Sequence, residues 1–465
     1  MSYLRIFVSF FILPNAIFWI ASAFFPASRG AFNIDYPLIF LAVAPLASFF
    51  NGHILYRVLL GLFLAIDVLF FFSLAYYFRA FDFLASIQYL SSLSSPYPYL
   101  FGAMIVLAML LVIWLASKAV FSTGRNLFTL KNSVFCILLI TFIVGMDCWN
   151  NTGWMKHSDS TIVPVNIAMS GTYKLRKLIR KQFNKRSITP LGVGEYGTEE
   201  LSDVLRNNPA LLDENANYVL ILVESLGKTI DAHVESTLFS SFLNEEMKKK
   251  YFVTFSSVPF RGSTVMGEFR ELCGVAIDSI WKIPKDLSQC LPNLFNGRGY
   301  RTVALHGFTE NFFDRKRWYP EVGFQKTIFL ENLKNADTVE YCGSVFRGVC
   351  DISFPKLLLA ELKNSKTFLY WLTLTSHIPI SPRDVVDTQS ISSCDALPDS
   401  LKDVCNTLRI QEKTLADIAR LALDSNLPPT YFIIVGDHRP PFLSRNVANS
   451  FSEERVPMLL LKPIL

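Results

Sequence analysis

Apolar residues along the chain follow two patterns that change near residue 150. Before it, five long apolar stretches succeed one another: roughly Leu4 to Phe25, Tyr36 to Phe50, Ile54 to Phe78, Tyr99 to Phe121 and Ser133 to Trp149. Most approach the roughly 20 residues that a helix needs to cross a bilayer. The second is shorter and contains Pro45. No small-residue cleavage site closes the first stretch and four more follow it, so the pattern predicts a five-helix transmembrane anchor over residues 1–150 rather than a cleaved signal peptide. Beyond the anchor, short runs rich in β-branched and aromatic residues alternate with segments of helical spacing. Tyr218 to Val223 and Tyr431 to Val435 are apolar on both faces, as strands of a helix-covered parallel sheet must be, while 353–362 and 403–423 carry helical spacing. The expected fold is therefore an N-terminal five-helix transmembrane domain followed, over residues 201–465, by one α/β domain with a mainly parallel central sheet.

Charge and cysteine placement orient this arrangement. Lys118, Arg125 and Lys131 flank the fourth connection, which makes that loop cytoplasmic and everything after Trp149 extracytoplasmic. The net charge of +5 is mild, and nucleic acid is a poor partner for a domain outside the membrane. Lys174, Arg176, Lys177, Arg180, Lys181, Lys185 and Arg186 alternate with Leu175, Leu178, Ile179 and Phe183. Residues 151–200 thus read as a basic amphipathic linker, suited to lying on anionic headgroups and equally to a solvated linker helix. Six of the eight cysteines lie in the outer domain. Disulfides persist in oxidising compartments, and neighbour pairing is the simplest arrangement: Cys273 with Cys290, Cys342 with Cys350, Cys394 with Cys405. Cys136 and Cys148, in and at the end of the fifth apolar stretch, are expected to stay unpaired.

Four strand-like runs each end on a residue able to bind a metal or a phosphate: Glu224, His306, His377 (after a run from Phe368 to Thr375), and Asp437-His438. In an open α/β sheet the ligand crevice lies beyond the carboxyl ends of the strands, so these ends converge. Glu224, Asp437 and His438 together supply two carboxylates and an imidazole, a ligand set for a divalent cation. Singly, Glu224 would serve as a helix cap and Asp437 as a turn cap. A nucleophile is offered by Gly262-Ser-Thr264, a small-residue turn leading into a helix expected over Val265 to Val275, with Glu268 and Phe269 inside it. A hydroxyl at a helix N-terminus sits where free amides favour an anion, and a neighbouring cation would lower its pKa. An ordinary N-cap would also place Ser263 or Thr264 there.

Asn217-Tyr-Val-Leu-Ile-Leu-Val-Glu-Ser225, the Gly262-Ser-Thr to Leu-Cys-Gly274 segment, Leu305-His-Gly307, Thr375-Ser-His-Ile-Pro379 and Gly436-Asp-His438 stand in the order found in one family. The chain resembles the lipoteichoic acid synthase branch of the alkaline phosphatase and sulfatase superfamily, and also its phosphoethanolamine transferases. That resemblance implies a monomeric, multi-pass protein of a bacterial cytoplasmic membrane, its catalytic domain in the periplasm or outside. It implies one divalent cation, manganese, magnesium or zinc, on Glu224, Thr264, Asp437 and His438, with Thr264 as nucleophile. His377 would bind or protonate the departing or accepting oxygen, and His306, Phe313 and Arg315 would line a headgroup pocket. The implied reaction moves phosphoglycerol from phosphatidylglycerol to an envelope glycan or glycolipid through a phospho-threonine. Phosphoethanolamine transfer to lipid A or another surface glycan is the alternative, and a catalytically inactive lipid-binding or lipid-transporting relative is the reading from another class. Sulfate ester cleavage is disfavoured, because the modified nucleophile of sulfatases is made from Cys or Ser.

Overall fold

A computed structural model describes residues 2–24, 32–46, 52–75, 97–121, 129–151, 168–170, 188–190, single residues at 172, 176 and 213, and 215–464 apart from 261, 278–282, 285, 335–338, 364–365, 386–401 and 443–449. They fall in two compact units, one within the first 185 residues and one within the remainder.

In the first unit every apolar stretch contains helix. Ser2–Phe7 runs through a π-helical turn, Val8–Ile12, into Leu13–Phe24, and the others are Asp35–Val43, Gly52–Ala75, Tyr97–Phe121 and Leu130–Asn151. The second ends at Val43, short of the expected Phe50: Ala44 keeps helical dihedrals at φ −52° and ψ −50° and its N–H closes on the Phe40 carbonyl, but Pro45 follows with no N–H to continue the ladder. Met104, Leu107, Leu110, Leu111, Trp114, Leu138 and Phe142 are exposed, so these helices are apolar on their outer faces as well as their inner ones. Among the described residues Tyr3–Ile20 is long and apolar enough to cross a membrane, and Gly102–Lys118 and Leu130–Met146 are shorter apolar segments. Cys136 is a buried free thiol. Of the basic segment 174–186, all but Arg176 lies outside the described residues.

The second unit is built on seven strands: β1 (Asn217–Val223), β2 (Tyr251–Pro259), β3 (Arg301–His306), β4 (Lys326–Ile328), β5 (Thr367–Leu372), β6 (Thr430–Gly436) and β7 (Arg455–Pro463). They lie in the order β2-β7-β6-β1-β5-β3-β4. The five strands from β6 to β4 are mutually parallel, and β7 and β2 add an antiparallel flank that the sequence pattern did not announce. Four helices matter below: α1 (Thr264–Cys273), α2 (Arg315–Glu321), α3 (Phe354–Leu362) and α4 (Lys402–Leu423). Alternate residues of β1 enter two different cores. Val219, Ile221 and Val223 meet Leu358 of α3 and Leu408, Leu415 and Ile418 of α4. Tyr218, Leu220 and Leu222 meet Val265, Phe269 and Leu272 of α1 and Trp318 and Tyr319 of α2. Burial on both faces is what makes the strand apolar throughout.

Helix α1 stops at Cys273 rather than Val275, because Gly274 takes a left-handed conformation at φ 64°, and its N–H closes on the Arg270 and Phe269 carbonyls. Two expected disulfides are present, Cys273–Cys290 and Cys342–Cys350. Cys405 is also disulfide-bonded, while Cys394 lies outside the described residues. The first bridge closes a separation of 17 residues, a loop length for which unfolded-state entropy gives a stabilisation of about 3 kcal/mol. Reduction is therefore expected to lower the melting midpoint of this unit. A midpoint unmoved by reductant in thermal melts would show that the bridges contribute nothing.

Candidate active site

Sheet register brings the strand ends together. Val223 of β1 is level with Gly436 of β6, and Leu222 with Leu372 of β5, which is itself level with His306 of β3. The residues next along the chain, Glu224, Asp437 and Thr373, consequently leave the sheet side by side. Ser225 holds a left-handed φ of 55°, an uncommon and costly conformation for a side chain without local compensation. Here its N–H donates to Asp437 Oδ1 at 2.7 Å and its hydroxyl to Glu224 Oε1 at 2.9 Å. Glu224 is held along its backbone as well: its N–H donates to Thr373 Oγ1 and its carbonyl accepts from Ser376 Oγ at 2.6 Å. Gln411 of α4 reaches the adjacent Ser225 carbonyl at 2.7 Å.

Thr264 is the first residue of α1, after a turn in which Gly262 adopts φ 76°. Ser263 occupies the N-cap position without a side-chain cap. Neither hydroxyl acts as a conventional cap, and Thr264 Oγ1 instead donates to Glu224 Oε2 at 3.2 Å and lies 3.3 Å from His438 Nε2. Close approach of α1 to the β6 end depends on Gly267, where a Cβ would lie 3.1 Å from Asp437 Cα. Arg270, one turn on, fixes the same corner by donating to the Gly436 carbonyl at 2.7 Å and the Asp437 carbonyl at 3.2 Å, with Glu271 as counter-charge.

Glu224, Asp437 and His438 are all buried, and one potential ligand atom from each lies within 4.8 Å of the others. His438 Nε2 is 3.2 Å from Asp437 Oδ2 and 3.6 Å from Glu224 Oε1. Asp437 Oδ1 accepts two backbone N–H groups, from Ser225 and His438, whereas buried Oδ2 has no hydrogen-bond partner among the described residues. A carboxylate oxygen left bare in the interior is costly unless something positive meets it. The imidazole is oriented the same way, since Nδ1 faces the Arg439 carbonyl at 2.8 Å and must donate there, leaving Nε2 for the cluster. Two carboxylates, an imidazole and the Thr264 hydroxyl therefore fit a divalent cation.

Burial, followed by the charge of Glu224, pushes the Asp437 carboxyl up to about 7. For His438, burial alone would lower the pKa, but Asp437 and Glu224 outweigh it and hold the imidazole above its ordinary value. A group raised in the folded state contributes stability at low pH that is lost as pH rises through its folded pKa. Buried His377, lowered to about 4, and His306, lowered by burial and then by Arg315, act in the opposite sense, and their effect is complete above the ordinary 6.5. Without added cation, the melting temperature is accordingly expected to fall as pH rises from about 6.5 to about 8. Mn2+ should restore it, most strongly at the higher pH, because the ligands must shed protons to bind. A flat pH profile, or equal Mn2+ stabilisation across it, would rule out this charge arrangement.

The remaining expected residues divide. His377 lies beside the cluster, with Nε2 4.0 Å from Glu224 Oε1 and its ring packed on Phe346. His306 is buried at the end of β3, its Nδ1 3.0 Å from the Leu372 carbonyl. Phe313 and Asp314 are consecutive left-handed residues at φ 56° and 57°, so the segment leading into α2 is locally strained. Arg315 is 1% exposed and differs most from expectation. Its Nε and Nη2 bind Glu268 and its Nη1 binds the Phe312 carbonyl, so the guanidinium is committed to α1 rather than offered to a pocket. Tyr319 and Tyr370 hydroxyls complete the shell around Glu268 at 2.5 and 3.2 Å. Ser225, Arg270, Thr373, Ser376 and Gln411 were not singled out from sequence. The hydroxyl-rich run from Thr373 to Ser376 and a buried glutamine on the apolar stripe of α4 were the available signals.

A family model for sulfatases matches residues 216–464, and no curated protein matches the chain. Among solved structures the chain is similar to lipooligosaccharide phosphoethanolamine transferase A (EptA) from Neisseria meningitidis, at 15% identity over 99% of this chain and 88% of that one, TM-score 0.47. It is similar to the lipoteichoic acid synthase LtaP from Listeria monocytogenes, at 16% identity over 54% of this chain and 65% of that one, TM-score 0.39. A third is the phosphoglycerol transferase GacH from Streptococcus pyogenes, at 16% identity over 59% and 77%, TM-score 0.41. The chain spans less than two thirds of the LtaP structure, and at these identities the likenesses are ones of fold. The family model covers more than half of the chain, from the turn before β1 to the end of β7, and on that ground the chain belongs to the sulfatase family.

Proposed function

We propose that this protein is a membrane-anchored phosphotransferase that moves a phosphorylated headgroup from a phospholipid to an envelope glycan or glycolipid. The observation that carries the reading is the hydroxyl of Thr264, at the N-terminus of α1 and within 3.3 Å of both a carboxylate oxygen and an imidazole nitrogen. Thr264 Oγ1 attacks the phosphorus of the donor diester. The new O–P bond forms as the bond to the diacylglycerol oxygen breaks, and the proton released by Thr264 matches the one taken up by the leaving oxygen. The acceptor hydroxyl then attacks the phospho-threonine, breaking the O–P bond and returning a proton to Thr264, with ping-pong kinetics as the expected signature. A divalent cation held by Glu224, Asp437, His438 and Thr264 would lower the pKa of the hydroxyl and offset phosphate charge. His377, neutral near pH 7 and with its Nδ1 facing the Ile378 carbonyl, has Nε2 free to pass a proton to or from the exchanging oxygens. His306 and Phe313 form the wall of the headgroup pocket, with the Arg315 guanidinium behind Phe313 at 5.4 Å from the ring. The five apolar helices of the first unit act as a multi-pass anchor in a bacterial cytoplasmic membrane, and the disulfides of the second suit a periplasmic or external domain.

Phosphoglycerol from phosphatidylglycerol is the favoured cargo. Phosphoethanolamine is the second reading, consistent with the disulfide-bonded outer domain. Incubating the protein with both lipids, quenching, and locating by mass spectrometry the adduct on the peptide containing Thr264 decides between them. A phosphoglycerol adduct supports the first and a phosphoethanolamine adduct the second, whereas a cation-loaded protein with no adduct refutes the transferase reading.

A further inference from the structure

Asp351 has no place in the chemistry above, yet it is 3% exposed and both oxygens of its carboxylate reach one turn. Its Oδ1 accepts the Leu374 N–H and its Oδ2 the Thr375 N–H, each at 2.9 Å, while its own N–H donates to Thr375 Oγ1 at 2.9 Å. That turn, Thr373 to His377, is the one that grips Glu224 at both ends of its backbone, through Thr373 Oγ1 and Ser376 Oγ. It also carries His377, whose N–H closes on the Leu374 carbonyl at 2.9 Å.

On its other side Asp351 is anchored hard. It directly follows Cys350, which is bonded to Cys342 across a short antiparallel pair in which Gly348 is level with Cys342. Val349 N–H donates to the Gly307 carbonyl, next to His306, and a Cβ on either Gly307 or Gly348 would run into the other segment's backbone. The strap from Gly348 to Asp351 is thus fixed to the end of β3, and Asp351 transmits that position to the turn after β5.

We propose that Asp351 is a positioning residue of the site: through the Thr373–His377 turn it sets the place of the Glu224 carboxylate and the His377 imidazole. Only a carboxylate of this reach offers an acceptor to each of two neighbouring amides. An asparagine would turn one acceptor into a donor facing an N–H. The inference rests on Glu224 being a ligand to the cation, and partners at one remove from a metal typically change affinity or activity by about 10- to 100-fold when lost.

The test uses the full chain in detergent, with Mn2+ as the probe. In Asp351→Asn, the Mn2+ dissociation constant and kcat should each worsen by about 10- to 100-fold, while KM for the lipid donor stays near wild type. Thr375→Val, which removes one arm of the clamp without changing charge, should move the same two quantities in the same direction by less, and it carries the test if Asp351→Asn does not fold. A lowered melting temperature with unchanged Mn2+ affinity and kcat would overturn the proposal, leaving Asp351 a structural residue only. If the wild type binds Mn2+ but Thr264 acquires no adduct, the transferase reading fails while Mn2+ affinity still decides the role of Asp351. Absence of saturable Mn2+ binding by the wild type would overturn both.

Discussion

Thr264→Ala is expected to abolish transfer, with kcat falling on the order of 10^6-fold, because a covalent nucleophile acts as a unit with the groups that activate it and little remains when it is removed. The fold should survive. Thr264 sits at the first position of α1, where alanine is a good helix former, and the lost contacts are two hydrogen bonds of 3.2 and 3.3 Å within an already crowded polar cluster. A stability change of about 1 kcal/mol in either direction is the scale for such bonds. Thr264→Ser, which keeps the hydroxyl, should retain measurable turnover and the covalent adduct. Turnover by Thr264→Ala above a few per cent of wild type would remove Thr264 from its role and leave a direct, single-displacement route.

The second large effect falls on stability rather than chemistry. Glu268 is fully buried, and Arg315 is its counter-charge at 2.9 Å, with Tyr319 and Tyr370 donating to the same carboxylate. Removing one member of a buried ion pair strands the other, at a cost of about 3–5 kcal/mol. Arg315→Ala should therefore lower the melting temperature sharply. A joint replacement, Glu268→Gln with Arg315→Met, should recover much of the loss, because well-packed neutral groups replace buried pairs at little net cost. The consequence for the site is geometric: this pair ties α1, which begins with Thr264, to α2 at the strained Phe313-Asp314 segment. Arg315→Ala with a normal melting temperature and a raised KM for the lipid donor would reverse the assignment and return Arg315 to the headgroup pocket.

Much of the architecture was legible because it follows from solvent alone. Helices apolar all round and strands apolar on both faces have few environments available to them, and both patterns survive without knowledge of any contact. The strand ends could be named, and with them Glu224, Asp437 and His438, since a ligand crevice beyond the carboxyl ends of parallel strands is a property of the fold class. Other boundaries failed for local reasons. The run expected to continue to Thr375 leaves the ladder after Leu372: the Thr373 N–H still reaches the Leu222 carbonyl of β1, but the Leu374 and Thr375 amides turn to Asp351 and the Thr373 and Ser376 hydroxyls to Glu224.

What the sequence determined by itself was which residues are apolar, at what spacing, and hence the two-part plan, the parallel core, the candidate ligands and the cysteines close enough along the chain to pair. Tertiary structure alone decided how the charged residues are used. Arg315 reads in sequence as a cation waiting for a phosphate, yet folding places it against Glu268, 47 positions away. Asp351 was not singled out along the chain, and only folding brings its carboxylate to two amides more than 20 residues downstream. Hydrophobic burial is non-directional and leaves a periodic mark on the chain, whereas a hydrogen bond or ion pair depends on partners brought within about 3 Å by the packing of distant segments. No local pattern records that meeting.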